Sequence, residues 1–348
     1  MRQENILTNA RIVLSDRVLD GHVVIADGKI AAIGEGPSTS GEDIGGETLI
    51  PGLVELHTDH IEGHYMPRPK VRWNKLASVQ AHDAQIAGSG ITTVFDALRV
   101  GMDENADIGA HDMRAMADAI TLAVADDRLR ADHFIHLRCE VSASDVIDGF
   151  EAMMGVPLIK LASLMDHAPG QRQFTNLETY RYYYQGKMKL SDAEFETFCR
   201  RRIEESEANA PKSRAHIAGR CHALKIALAS HDDATSAHVE ESVTHGISLA
   251  EFPTTMEAAK ASHEAGLGVL MGAPNVVRGG SHSGNISAIA LHEAGVLDIL
   301  SSDYVPFSLL QAAFLIGEGG DLPEAIRLVT ANPARAVGLS DRGEIARG

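Results

Sequence analysis

Eight short apolar runs, each ending in polar or ionisable residues and each followed by a helical stretch, constrain this chain more than any other feature. They are LIPGLVELHTD, GITTVFDAL, HFIHLRCE, VPLIKLASLMDH, ALKIALASHDD, GISLAEFPTT, LGVLMGAPN and VLDILSSDY. A run with no solvent face suits a parallel strand covered on both sides. Between the runs lie helical segments such as SDAEFETFCRRRIEE, where Ser191 and Glu194 form a capping box. Eight strand-helix units over about 250 residues predict an α/β chain folded as a (β/α)8 TIM-type barrel. A doubly wound open sheet is the alternative topology.

Residues 1–50 break the pattern. NARIVLSD, GHVVIADGKIAAIGEG and GGETLI read as short strands, with Asp27-Gly28 as a hairpin turn. A small β-rich accessory domain is expected over 1–50, with 336–348 as a candidate addition to it, and the barrel over 51–335.

Composition excludes several classes. The net charge of -17 opposes nonspecific binding to nucleic acid or to an anionic membrane. Cys139, Cys199 and Cys221 are odd in number and lack C-x-x-C spacing, so neither a disulfide framework nor a thiolate zinc site is expected. No apolar stretch approaches the roughly 18 residues of a membrane span, and the first residues lack the apolar run of a signal peptide. A cytoplasmic protein with no nucleic-acid or membrane partner is expected, and homo-oligomerisation stays open.

In a barrel, the residues that follow each strand sit at the carboxyl end, where such folds build their sites. Those positions carry metal-ligand chemistry: His57 and Asp59 after the first run, Glu140 after the third, Asp166 and His167 after the fourth, His231, Asp232 and Asp233 after the fifth, and Asp303 after the eighth. A lone histidine at a strand end is more often structural than ligating. Ligand types at the ends of at least five of eight strands point instead to a divalent metal site. Mixed imidazole and carboxylate donors suit zinc first, with manganese and iron as alternatives, and one or two ions. His60, His64 and His82 lie just past the first run or on the next helix, where orienting and surface roles are commoner. His22, His111, His216, His245, His263 and His292 read as surface or structural.

Two basic segments stand out in an acidic chain. MPRPKVRWN offers Arg68, Lys70 and Arg72; APNVVRGGSHSGN offers Asn275, Arg278, Gly280, Ser281 and His282. Backbone amides of a glycine loop with an arginine beside them can cradle phosphate oxygens. Arg172, in HAPGQRQF, is a further candidate for contact with an anion.

These residues also carry a resemblance. LIPGLVELHTD resembles the first-strand signature of the amidohydrolase superfamily, and SSD resembles its eighth-strand aspartate. LHTDHIEGHYMPRPKVRW, SLMDHAPGQRQF, YYQGK, ALASHDDAT, AEFPTT, MGAPNVVRGGSHSGN and DILSSDY together resemble the diphosphatase family of the carbon-phosphorus lyase pathway. The likeness runs from about residue 48 to 335. It implies a ribose triphosphate substrate, alpha-D-ribose 1-methylphosphonate 5-triphosphate, cut by water to the 5-phosphate and diphosphate. It also implies metal ligands among His57, Asp59, Glu140, His167, His231 and Asp303. Asp303 would be the catalytic base, and Glu140 is the candidate bridge if two ions bind.

The sequence departs from the superfamily pattern. Asp59 stands where a second histidine is usual, and Glu251 is the nearest ligand where a sixth-strand histidine is usual. The superfamily also continues past DRGEI with further strands. Either the chain is a piece of a longer one, or residues 1–50 form the small sheet with fewer strands. The rival functions are hydrolysis or deamination of a cyclic amide or amino-substituted ring, and a noncatalytic scaffold of a lyase complex.

Overall fold

A computed structural model describes residues 4–101, 108–174, 177–281, 284–318 and 320–348. The first strands are β1 (Glu4–Val13), β2 (Val18–Ala26), β3 (Lys29–Glu35), β4 (Glu42–Asp43) and β5 (Thr48–Leu49). They form one small sheet in the order β3-β2-β1-β4, with β5 also paired to β1. The β2–β3 hairpin turns at Asp27-Gly28, both with positive φ (52° and 76°), as a two-residue turn matched to strand twist requires. Ala10, Ile12 and Val23 form the core of this sheet together with Ile345, so the end of the chain packs back onto its beginning.

All eight apolar runs become strands of a second sheet: β6 (Leu53–Thr58), β7 (Ile91–Val100), β8 (Asp132–Glu140), β9 (Ile159–Met165), β10 (Ala227–His231), β11 (Leu249–Glu251), β12 (Gly268–Gly272) and β13 (Ile299–Ser301). They pair in sequence order, each parallel to the next. A parallel bridge between Thr58 and Asp303 brings the last strand against the first, so the sheet is a barrel and not an open, doubly wound one.

Buried Glu55 sews that seam. Its carboxylate accepts from the His57 and Ser302 backbone N–H groups and from the Ser301 hydroxyl. Val54, Leu56, Phe95, Leu161, Leu249, Leu270 and Ile299 pack together as one core, and two larger apolar layers lie between the strands and the outer helices. Asn74, Thr235, Thr255 and Ser287 cap helix N-termini, and the Ser191–Glu194 capping box expected from the sequence forms. The three cysteines are free and buried. Among the described residues no helix is long and apolar enough to cross a membrane.

A polar network lies buried between β7, β8 and the helix Lys75–Gly88. Asp96 accepts from His82 Nε2 and from His133 Nδ1, both at 2.8 Å, and His133 Nε2 lies 3.3 Å from Asp83. Burial opposes charge on His133, but the Asp96 and Asp83 carboxylates outweigh it and raise its pKa to about 9. A folded pKa above the ordinary 6.5 means that this stabilisation is complete below 6.5 and lost as pH rises through about 9. The urea midpoint is therefore expected to drop between about pH 6 and about pH 10, and to drop less in Asp96→Asn. An identical drop in both proteins would contradict the assignment.

Candidate metal centre and active site

The carboxyl ends of the barrel strands converge on one carboxylate. Glu251, at the end of β11, is fully buried and points between three imidazoles. Its Oε1 lies 3.3 Å from His57 Nδ1 and 3.8 Å from His136 Nε2, and its Oε2 lies 3.2 Å from His231 Nδ1. Burial alone would raise the Glu251 pKa, but the surrounding histidines hold it well below the usual carboxylate range. His57 Nδ1 and Glu251 Oε1 face each other without a hydrogen bond. Two orphaned buried donor atoms at the same point are what a cation would satisfy, and a mixed nitrogen and oxygen set is chemistry that zinc and its neighbours accept.

His231 links this group to a second one. Its Nε2 lies 3.5 Å from Asp232 Oδ2, which is 3.8 Å from His167 Nε2. His57, His136 and Glu251 form one cluster able to hold a metal ion, and His167, His231 and Asp232 form another. Glu140 stands behind His167, 2.6 Å from its Nδ1 and also bonded to the Ser142 hydroxyl. Burial works against ionised Glu140, yet His167, Ser142 and Arg202 bring its pKa down to about 2.

Three strand ends hold non-glycine residues in the left-handed region: Asp232 (φ 59°) after β10, Phe252 (φ 54°) after β11 and Asp303 (φ 54°) after β13. Each such residue costs about 1–3 kcal/mol, strain that gathers at functional sites. At Asp303, burial first and then the Asp59 carboxylate lift the pKa to about 7, against the pull of Arg138.

His57, His167, His231, Asp232 and Asp303 floor a cleft of about 350 Å³ whose walls include Arg99, Arg138, Arg202, Arg278 and Tyr304. Four arginines over a histidine and carboxylate floor give an anion a place to sit in a strongly acidic protein.

Of the residues singled out in the sequence, His57, His167 and His231 fall in the two clusters, and Glu140 and Asp303 line the cleft. Asp59 does not join them; its Oδ2 is 2.9 Å from Arg138 Nη1. Asn275, Arg278, Gly280 and Ser281 line the cleft. The Asn275 carboxamide is engaged within its own loop, accepting from Ala288 N–H and donating to Ile286 O.

The expectation for Arg172 is corrected. It is buried, ion-paired with Asp233 and Glu241, and lies outside the cleft lining, because carboxylates on the neighbouring strand and helix capture it. Arg68 and Lys70 are exposed in a surface turn and do not line the cleft either. His282 lies outside the described residues.

Reading strand ends alone missed His136, Arg138 and Arg99. Period-two spacing could have found the first two, since His136, Arg138 and Glu140 alternate along β8 and share a face.

No family model matches the chain. Solved structures share the fold. One is N-acetylglucosamine-6-phosphate deacetylase from Pasteurella multocida, with a TM-score of 0.59 at 12% identity over 99% of this chain and 93% of that one. Another is an adenosine deaminase from Xanthomonas campestris with bound zinc, with a TM-score of 0.53 at 16% identity over 99% and 82%. Barrel and neighbours define a protein of the (β/α)8-barrel fold class. Within that class, the chain is 46% identical to the alpha-D-ribose 1-methylphosphonate 5-triphosphate diphosphatase of Escherichia coli (strain K12) over 99% of its length and 92% of the relative's. It belongs to that diphosphatase family.

Proposed function

We propose that this chain hydrolyses alpha-D-ribose 1-methylphosphonate 5-triphosphate to the 5-phosphate and diphosphate in phosphonate catabolism, as a cytoplasmic metal-dependent enzyme. The observation that carries the reading is near full-length identity of 46% to the diphosphatase. The arginine-walled cleft over the metal-ligand clusters supports it.

His57, His136 and Glu251 would hold one divalent ion, zinc in preference to manganese or iron; His167, His231 and Asp232 offer room for a second. Such an ion supplies positive charge beside the scissile phosphoanhydride and makes water a competent nucleophile near neutral pH. The protein's own groups do the rest. Arg278, Arg138, Arg99 and Arg202 bind and orient the triphosphate, neutralising charge on its oxygens. Asp303 orients the attacking water and takes its proton, as a carboxylate held up to about 7 by burial is suited to do. A P–O bond to water forms as the P–O bond to diphosphate breaks. Glu140 keeps His167 in place.

Purified protein assayed for diphosphate release from the ribose triphosphate, in parallel with ring opening of dihydroorotate and hydantoin, tests the reading. Ring opening without diphosphate release would replace it with a cyclic-amide hydrolase, and no turnover at all would favour a scaffold. Arg278→Ala removes a charge-assisted contact worth about 1.5–3 kcal/mol, so KM for the triphosphate should rise about 10- to 100-fold with kcat less affected. An unchanged KM would take Arg278 out of the binding site.

A further inference from the structure

Three histidines left aside by the catalytic reading stand together outside the barrel. His60 is the N-cap residue of the short helix Ile61–Tyr65 and His64 lies in its last turn, an i, i+4 spacing that puts them on one side. His82 comes from the helix Lys75–Gly88 that packs next to it. Their ring centroids are 5.1 Å apart for His60 and His64, 5.9 Å for His64 and His82, and 6.0 Å for His60 and His82. Three imidazoles tetrahedral about zinc, with Zn–N of about 2.0–2.1 Å, hold their centroids roughly 5 Å from one another. The observed triangle is therefore slightly open.

The hydrogen bonding leaves the right atoms free. His82 is fully buried and gives its Nε2–H to Asp96, so its Nδ1 carries the lone pair, and that atom is buried with no hydrogen-bond partner. His64 Nε2 is likewise buried and unpartnered. His60 has its Nε2 against Gln85 Oε1 at 2.8 Å, which leaves Nδ1 as the lone-pair nitrogen. A carboxylate behind one imidazole and an amide oxygen behind another are the supports that metal-binding histidines use to fix tautomer and ring orientation. Asp96 is itself fixed by His133.

We propose that His60, His64 and His82 form a second transition-metal site, separate from the catalytic cleft, that takes zinc and clips the segment following β6 to the first outer helix. The ion satisfies two buried nitrogens that have no hydrogen-bond partner among the described residues.

The test is zinc stoichiometry. Full-length protein stripped by a chelator and dialysed against zinc buffered at nanomolar free concentration should bind one equivalent more than His64→Ala or His60→Ala handled identically. Zinc should also raise the thermal midpoint of the parent protein by more than that of either variant, and diphosphate release should stay within about twofold of the parent. Circular dichroism identifies a variant that fails to fold, in which case the other decides. As a second reading, cobalt in place of zinc should give a nitrogen-ligated visible band that both variants reduce. Equal zinc content in the parent and both folded variants would overturn the site.

Discussion

Replacing Asp303 by asparagine is expected to slow diphosphate release by on the order of 10³-fold while leaving the fold and the bound metal in place. The magnitude follows from the role. A positioned base contributes about 10²–10⁴-fold, and asparagine keeps the shape of the side chain but accepts no proton. The left-handed backbone at Asp303 tolerates asparagine better than most residues, so the strain at this strand end is conserved. The loss should appear in kcat, with KM nearly unchanged, and elemental analysis should find the parent's metal content. Turnover within tenfold of the parent would remove Asp303 from the chemistry.

Glu251→Ala is the second large effect. It takes a carboxylate out of a buried space shared by His57, His136 and His231, and burial already lowers the proton affinity of His57 and of His136, the latter to about 3. Metal affinity should fall by at least ~100-fold, beyond the range seen when a ligand's supporting partner is lost, and turnover should fall to background. Glu251→Asp keeps the charge but shortens its reach, and should retain part of both. Metal analysis after dialysis, with a urea midpoint to confirm folding, measures this. A Glu251→Ala protein that keeps its metal would shift the ion to His167, His231 and Asp232.

The barrel was legible because its signal is local and repeated. The barrel strands are largely buried apolar runs, several of the intervening helices begin at a capping side chain, and the hairpin at Asp27-Gly28 uses residues that accept positive φ. The candidate ligand clusters were legible in part for a related reason: histidines and carboxylates at strand ends stand out by position, and His57, His167 and His231 were marked by that alone. Glu251 was visible as a departure at the sixth strand. His136 was not, because it lies mid-strand, four residues before the Glu140 that drew attention.

Charge pairing was the least legible. Arg172 and Arg138 look alike in sequence, each one basic residue near a strand or its end. Arg172 is taken by Asp233 and Glu241, while Arg138 reaches across the barrel to Asp59 and still borders the cleft. The exposed Arg68 and Lys70 attracted the phosphate reading, and Arg99, Arg138 and Arg202 took their place on the cleft wall.

The sequence by itself determined the eight apolar strands and the ligand chemistry at their ends, because these rest on periodicity and local propensity within about ten residues. Only the tertiary structure decided which ligands meet. Closing the barrel sets Thr58 beside Asp303, and the partner of a buried charge is whichever group that closure brings within a few ångströms, at whatever distance along the chain.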